Sequence, residues 1–283
     1  MDKDAYEDLS KLKLKHAKLI QLKDVETPDL LKVKGEREKS EYSWTLKSSL
    51  MSYLFKKHPE IPSLFYLDAD MFFFKDIKFV YDDIGNKSIA IAPHRFPKKL
   101  SARNTVSGIF NAGVVFIKRD STGLKALERW RLQCIAWCFR KPKGKKFGDQ
   151  MYLDEWPKLY KNLHQFQHPG INLAPWNIKV HKIYDKKDGI YVGNHPLVFY
   201  HFHELKIYSD LSFAPSYGYN IPKQTIDLIY RRYEKEILNV IKKMDSVDAG
   251  LKLNLEEKDL FKENIQKIKR LLLPIYWGIR TIL

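Results

Sequence analysis

Leu64-Phe65-Tyr66-Leu67-Asp68-Ala69-Asp70-Met71-Phe72-Phe73 is the stretch on which the fold of this chain turns. Four apolar residues run without a break into two carboxylates, and three more apolar residues follow. Such a run predicts a central parallel strand, buried on both faces. Asp68 and Asp70, two apart at the strand's carboxyl end, point to the same side. There they can share one hard cation, or hold it while it bridges two phosphate oxygens. The same pair would also serve simply to cap the turn after a buried strand. In open α/β sheets this end of the strands is where ligands bind.

Working outward, Ser43 to Lys57 carries Leu46, Leu50 and Leu54 at four-residue spacing and stops at His58-Pro59, which predicts a helix. Lys18-Leu19-Ile20-Gln21-Leu22 is a short strand candidate. Downstream, Ile89-Ala90-Ile91-Ala92 and Gly113-Val114-Val115-Phe116-Ile117 predict two more strands. Ser121 can cap a helix with Leu127, Trp130, Cys134, Trp137 and Cys138 on one stripe, ending near Arg140. Asp149 can cap another that runs to about Tyr160. Strands alternating with helices predict an α/β domain, a mainly parallel sheet flanked by helices, over residues 1–220. A basic helical tail follows over 221–283.

Composition narrows the function classes. The 283 residues hold 44% hydrophobic side chains, enough for a real core and too many for a disordered chain. Fifty Lys and Arg against thirty-four Asp and Glu leave a net charge of +16, which predicts an anionic partner. Cys134 and Cys138 are too few for a disulfide framework and read as free thiols in a reducing, cytoplasmic setting. Met1 to Ser10 has no apolar run, so no signal peptide is expected there, and no apolar stretch is long enough to span a membrane.

Four segments in fixed order carry a resemblance: Tyr66-Leu67-Asp68-Ala69-Asp70, Phe110-Asn111-Ala112-Gly113-Val114, Gly148-Asp149-Gln150 and His201-Phe202-His203. Together they resemble nucleotide-sugar glycosyltransferases of the GT-A fold, close to the family 8-like enzymes of bacterial capsule and lipopolysaccharide synthesis. The resemblance implies a GT-A-like domain that transfers a sugar from a nucleoside diphosphate sugar, a UDP-sugar, to a glycan or lipid-linked acceptor with retention. It implies Mn²⁺ or Mg²⁺ as cofactor, bound by Asp68, Asp70 and His201, with His203 as competitor because both imidazoles fall on one face of a strand. Asp149 and Gln150 are implied at the reaction centre, although Asp149 would equally serve as an ordinary helix cap. Trp44, Thr45 and Lys47 are implied to face the donor, as are Asn111 and Ala112, and Lys206 is the candidate phosphate ligand. One departure stands out: the family has Gly three residues after the histidine, and this chain has Glu204.

Pro169 to Asn177 combines turn formers, amides and an indole. Asn172, Trp176 and Asn177 are therefore candidate acceptor-binding residues, with an irregular loop around a core tryptophan as the plainer alternative. Arg140-Lys141-Pro142-Lys143-Gly144-Lys145-Lys146 is either a solvated loop or an active-site flap drawn to anions. Residues 264–283 hold Lys267, Lys269, Arg270 and Arg280 beside an apolar stretch, which suggests a peripheral contact with the inner face of an anionic membrane or a docked terminal helix. No nucleic-acid motif is present, and nucleic acid is not expected as a partner. The chain also opens in what matches the family after its first nucleotide-binding strand. That sets up the alternative of weakened donor affinity, or of a catalytically inactive nucleotide- or glycan-binding remnant.

Overall fold

The structure, a computed structural model, describes residues 1–216, 218–247 and 255–259. Three short helices, α1 (Lys3–Lys11), α2 (Leu22–Val25) and α3 (Pro28–Lys34), lead into the long α4 (Lys39–Lys57). Then come β1 (Ser63–Leu67), β2 (Met71–Phe73), α5 (Lys78–Ile84), β3 (Ile89–Pro93), α6 (Asn104–Ser107), β4 (Phe110–Lys118) and α7 (Ser121–Ala136). After α8 (Trp156–Leu159) follow β5 (Leu163–Gln165), a small sheet of β6 (Ile183–Lys186), β7 (Gly189–Val192) and β8 (His195–Pro196), and then β9 (Phe199–His201). β10 (Lys206–Ile207) pairs with β11 (Phe213–Ala214), and α9 (Lys223–Thr225) continues through a π-helical turn into α10 (Arg231–Val247).

The expectation of a mainly parallel sheet is corrected. The main sheet has the order β1-β4-β3-β5, and only β3 and β5 pair in parallel. β4 runs antiparallel to both of its neighbours. Pro93 lies opposite Phe110, so residues 94–109 turn back at one end of the sheet instead of crossing a face, and β4 must return against β3. β1 is also not central. It is an edge strand, and its five residues are only half-buried. The interior strands alternate as a two-face sheet should: Ile89, Ile91, Val115 and Ile117 pack under α4 and α7 with Met51, Leu127 and Trp130. Ala90, Ala92, Val114 and Phe116 pack on the opposite face with Val80, Ile84 and Phe199.

Local expectations fared unevenly. The predicted helix before β1 starts four residues early, at Lys39, because Glu38 and Glu41 form a reciprocal capping box. Lys18 to Leu22 is no strand: residues 18–21 are irregular and Leu22 begins α2. Asp120, not Ser121, caps α7 through Gly123 N at 2.9 Å. α7 stops at Ala136, where Trp137 takes an extended backbone. No single helix runs from Asp149 to Tyr160. A 3₁₀ turn at Met151–Glu155 precedes α8, and Pro157 sits in the first turn of α8, where its missing N–H costs nothing.

Two features of β4 aim it at the site. Its register against β3 jumps from Ile91↔Val115 to Ala92↔Asn111, leaving Ala112, Gly113 and Val114 without partners on that side. Its start is tied by Asp154, whose carboxylate accepts from Ile109 N at 2.8 Å and Phe110 N at 3.3 Å. Burial pushes the Asp154 carboxyl up to about 6, against the pull of those two amides. A raised folded-state value means stability present at low pH and lost as pH climbs through about 6. Asp154→Asn keeps an acceptor without the charge, so the variant should melt above the wild type at pH 8 and lose that advantage at pH 4. Paired melting curves at the two pH values check this.

The helical segment after Lys223 packs on the third core, where Ile229 and Tyr230 join Leu173, Tyr200 and Phe202. The basic apolar stretch 264–283 lies outside the described residues. Among those that are described, no helix is long and apolar enough to cross a membrane.

Candidate active site

The loop Asp68-Ala69-Asp70 hangs between β1 and β2 and is fixed by main-chain bonds at both ends. Asp68 N donates to Gly113 O at 3.0 Å, and Phe202 N donates to Asp70 O at 2.7 Å. β2 and β9 pair antiparallel with Met71 opposite His201, which sets that imidazole beside the second aspartate. His201 Nε2 lies 3.1 Å from Asp70 Oδ1 and 4.0 Å from Asp68 Oδ2. His203 adds its ring, and ligand atoms of Asp70, His201 and His203 all lie within 4.8 Å of one another. Both imidazoles meet Trp176 edge-on, at 5.1 and 5.4 Å between centroids.

Gly113 makes this crowding possible. A Cβ there would stand 2.7 Å from Asp68 Oδ2, 2.7 Å from Asn111 Oδ1 and 2.9 Å from His201 Cε1. Gly113→Ala should therefore displace the acid–histidine cluster and, if that cluster takes up a divalent cation such as Mn²⁺, weaken the binding by about 10- to 100-fold, the usual effect of disturbing the support of a ligand set. Calorimetric titration of Mn²⁺ into both proteins measures it.

A second group of charges backs the first. Lys47, on α4 and buried, lies 2.9 Å from Asp68 Oδ1 and 3.3 Å from Asp149 Oδ2. Tyr66 Oη donates to the same Asp68 oxygen at 2.9 Å. Burial disfavours the ammonium ion, but Asp149 and Asp68 outweigh it and hold the Lys47 value above the ordinary one. Burial raises the Asp149 carboxyl, with Asp68 adding to the rise and Lys47 opposing it. Asp70 behaves differently. Burial again works against its charge, yet the hydrogen bond from His201 and the nearby imidazoles bring it below the ordinary carboxylate range. His94, stacked on Phe96, is pushed down to about 3 by burial and stays neutral at physiological pH.

These groups line one cavity of about 580 Å³. Of the residues singled out from sequence, Trp44, Lys47, Asp68, Asp70, Asn111, Asp149, Gln150, Trp176, His201 and His203 line it. Asp149 caps no helix, since its side chain turns to Lys47. Other candidates lie elsewhere. Thr45 is fully buried, accepting from Arg37 and donating to Glu41 O. Ala112 contributes only a carbonyl, 3.4 Å from Lys47 Nζ. Asn177 braces the 172–177 loop by donating to His94 O and Asn172 O, and Asn172 is buried beneath Arg95. Lys206 pairs with Glu256 at 2.6 Å and does not line the cavity. Glu204 stands where the resemblance expects glycine, and its φ of +62° is the left-handed backbone that glycine favours. Sequence reasoning passed over Arg103 and Tyr219, which are hydrogen-bonded to each other on the cavity wall, with the guanidinium 5.3 Å from the Phe96 ring centroid. No local motif marks them: 116 residues separate the two.

The fold and this cavity define an α/β protein with an acid–histidine centre in a cleft lined by charged and aromatic side chains. Comparison with known proteins adds kinship. The chain is 31% identical to the uncharacterised protein YfnD of Bacillus subtilis (strain 168), covering 88% of this chain and 80% of YfnD. It is 29% identical to YfnF of the same organism, over 88% of this chain and 84% of YfnF. The chain belongs to the family of YfnD. No protein-family model matches it. Among solved structures, a glycosyltransferase involved in the glycosylation of the major capsid of PBCV-1 covers 70% of this chain and 82% of its own, at 14% identity and a TM-score of 0.36. A likeness of that size supports no statement about activity.

Proposed function

We propose that this chain is a metal-dependent glycosyltransferase that takes a sugar from a nucleoside diphosphate sugar, a UDP-sugar, and passes it to a glycan or lipid-linked acceptor with retention. The observation that carries this reading is the convergence of Asp68, Asp70, His201 and His203 on one cavity that Lys47 and Asp149 also line. The donor set fits a divalent cation: carboxylate oxygens with imidazole nitrogens suit Mn²⁺ better than Mg²⁺, which prefers oxygen alone. Asp70 and His201 would hold the ion, Asp68 and His203 completing the set. When bound, such an ion neutralises the charge that develops on a leaving diphosphate.

The chain's own residues supply the rest. Lys47 keeps its proton between two carboxylates and presents fixed positive charge beside the donor phosphates. Asp149, buried and held by Lys47 and by the Trp130 Nε1 bond to its carbonyl at 2.8 Å, would accept a hydrogen bond from a sugar hydroxyl that enters the cavity. Gln150 donates to Ser107 O at 2.7 Å, which fixes its side chain on the cavity wall. Trp44, half-buried on the cavity wall, offers an apolar face on which sugar or base can stack, whereas Trp176 is buried in the core with the imidazoles packed against it. A cytoplasmic site of action, with the 264–283 tail resting on anionic lipid, belongs to the same reading. Salt-sensitive co-sedimentation with anionic liposomes, lost on deleting that tail, tests the lipid contact.

A screen of UDP-, GDP- and CMP-sugar hydrolysis with Mn²⁺, beside an Asp68→Ala/Asp70→Ala control, tests the reading. Hydrolysis of one donor that disappears in the control is the expected result. Hydrolysis that persists in the control contradicts the metal site, and no turnover with any donor leaves a nucleotide- or glycan-binding protein in its place.

A further inference from the structure

The cavity itself is not the source of the chain's positive charge. Its lining holds four carboxylates, Asp68, Asp70, Asp149 and Glu204, against three cations, Lys47, Arg103 and Arg140. Nine of the sixteen excess charges sit on two segments, 95–108 and 137–148, each carrying a loop that leaves the cavity wall and returns to it. One leaves at Phe96 and returns at Arg103, with Lys98 and Lys99 between. The other leaves at Arg140 and returns at Phe147, with Lys141, Lys143, Lys145 and Lys146 between. All six lysines are exposed, and none forms an ion pair with a carboxylate among the described residues. Neither 95–108 nor 137–148 contains an acidic residue.

The second loop is a built turn. Lys143 N donates to Lys146 O at 3.0 Å, and Gly148 N donates to Phe139 O at 2.9 Å. Gly144 supplies the φ of +58° that such a reversal needs. Its base is fastened to α4, where Glu41 accepts from Arg140 N at 2.7 Å and Ser40 Oγ accepts from the Arg140 guanidinium at 2.9 Å. The guanidinium also lies 5.4 Å from the Trp44 ring centroid. A loop held this way keeps four ammonium groups at the mouth of the cavity without carboxylates to quench them.

We infer that the two loops grip an acceptor saccharide that carries its own anionic groups, phosphate or carboxylate, along the chain outside the cavity. This inference rests on the glycosyltransferase reading, in which the donor diphosphate finds its countercharge inside, at the metal centre and Lys47. The rim charges then have no role toward the donor and match a ligand that extends past the mouth. Several exposed charges acting together give a salt-sensitive attraction that one exposed pair does not.

Fluorescence anisotropy with end-labelled hexagalacturonate, a glycerol-phosphate hexamer and maltohexaose tests it, in EDTA and without nucleotide. At least one anionic hexamer should bind about tenfold or more tighter than maltohexaose, and Lys141→Gln/Lys143→Gln/Lys145→Gln/Lys146→Gln should lose about tenfold of that affinity, as four weak surface pairs would give. Lys98→Gln/Lys99→Gln should show a smaller loss. The carboxylate and phosphate hexamers tell which anion is preferred. Equal binding of maltohexaose, or unchanged binding in both variants, overturns the inference. So does tighter lysine-dependent binding to a DNA duplex or to phosphatidylglycerol vesicles, which would make the rim a general polyanion or membrane surface. A parallel titration of UDP with Mn²⁺ separates the two levels. The lysine variants should bind UDP as the wild type does, and a wild type that binds the anionic hexamer but no UDP would sink the donor reading while leaving the saccharide grip intact.

Discussion

Lys47→Met is expected to cost about 3–5 kcal/mol of folding stability at pH 8, the loss typical of removing one partner from a buried ion pair. Lys47 is buried, and it stands within 2.9 Å of Asp68 and 3.3 Å of Asp149. Without the ammonium ion, Asp149 would remain buried beside Asp68 with no countercharge. Its carboxyl, already raised by burial, would rise further. The sign follows from the raised folded-state value: the variant's deficit grows as pH rises and shrinks as pH falls and Asp149 takes up a proton. Lys47→Met/Asp149→Asn should recover much of the stability, since no buried charge is then left alone. Urea unfolding of the three proteins at pH 5 and pH 8 measures all of this. A single variant that unfolds like the wild type at pH 8 would show that Lys47 is not held between two ionised carboxylates.

Asp70→Ala is expected to lose Mn²⁺ affinity by on the order of 100-fold or more, as removal of a charged ligand should. His201→Ala should do nearly the same, because His201 is the imidazole closest to both aspartates and is almost fully buried. His203→Ala should lose less, since its ring stands farther out and Glu204 lies 3.7 Å from it. Calorimetric titration of Mn²⁺ ranks the three. If His203→Ala proves the most damaging, the metal set needs reassigning.

Much of the site was legible because its residues are close in sequence or marked by pattern. Asp68 and Asp70 follow an apolar run, and a strand period would put His201 and His203 on one face; β9 in fact ends at His201, and His203 reaches the same centre from the turn that follows. The parts that were missed depend on distance along the chain. The Lys47 contact to Asp149 joins α4 to a turn after α7, and the Arg103 contact to Tyr219 joins two loops. Neither leaves a local trace. The sheet was misread for a related reason. Leu64 to Leu67 reads as a central strand because an apolar run reports burial, not neighbours. Here Leu64 and Tyr66 lean on the core under α4, while Phe65 and Leu67 lean on the other face. An edge strand covered on both faces therefore carries the signature of a central one. The direction of β4 was equally hidden, since nothing in Asn104 to Gly108 distinguishes a turn at the sheet's end from a crossover.

Asn177 shows the opposite case. Amides in a turn-rich segment suggested sugar contacts, yet Asn177 is consumed in bracing its own loop. Trp176 is the member of that segment that reaches the cavity, with its indole N–H bonded to His94 O at 2.9 Å. A buried main chain without regular structure needs such internal donors, and asparagine supplies them as readily as it binds ligands.

If Asp68, Asp70 and the histidines hold a nucleoside diphosphate through a divalent cation, its binding must depend on that cation. Titration calorimetry of UDP into the full chain, once with Mn²⁺ and once with EDTA, tests it most directly. One UDP per chain should bind with Mn²⁺, none measurably in EDTA, and none to Asp70→Ala under either condition. UDP binding that is indifferent to EDTA, or absent from the Mn²⁺-loaded wild type, would contradict it.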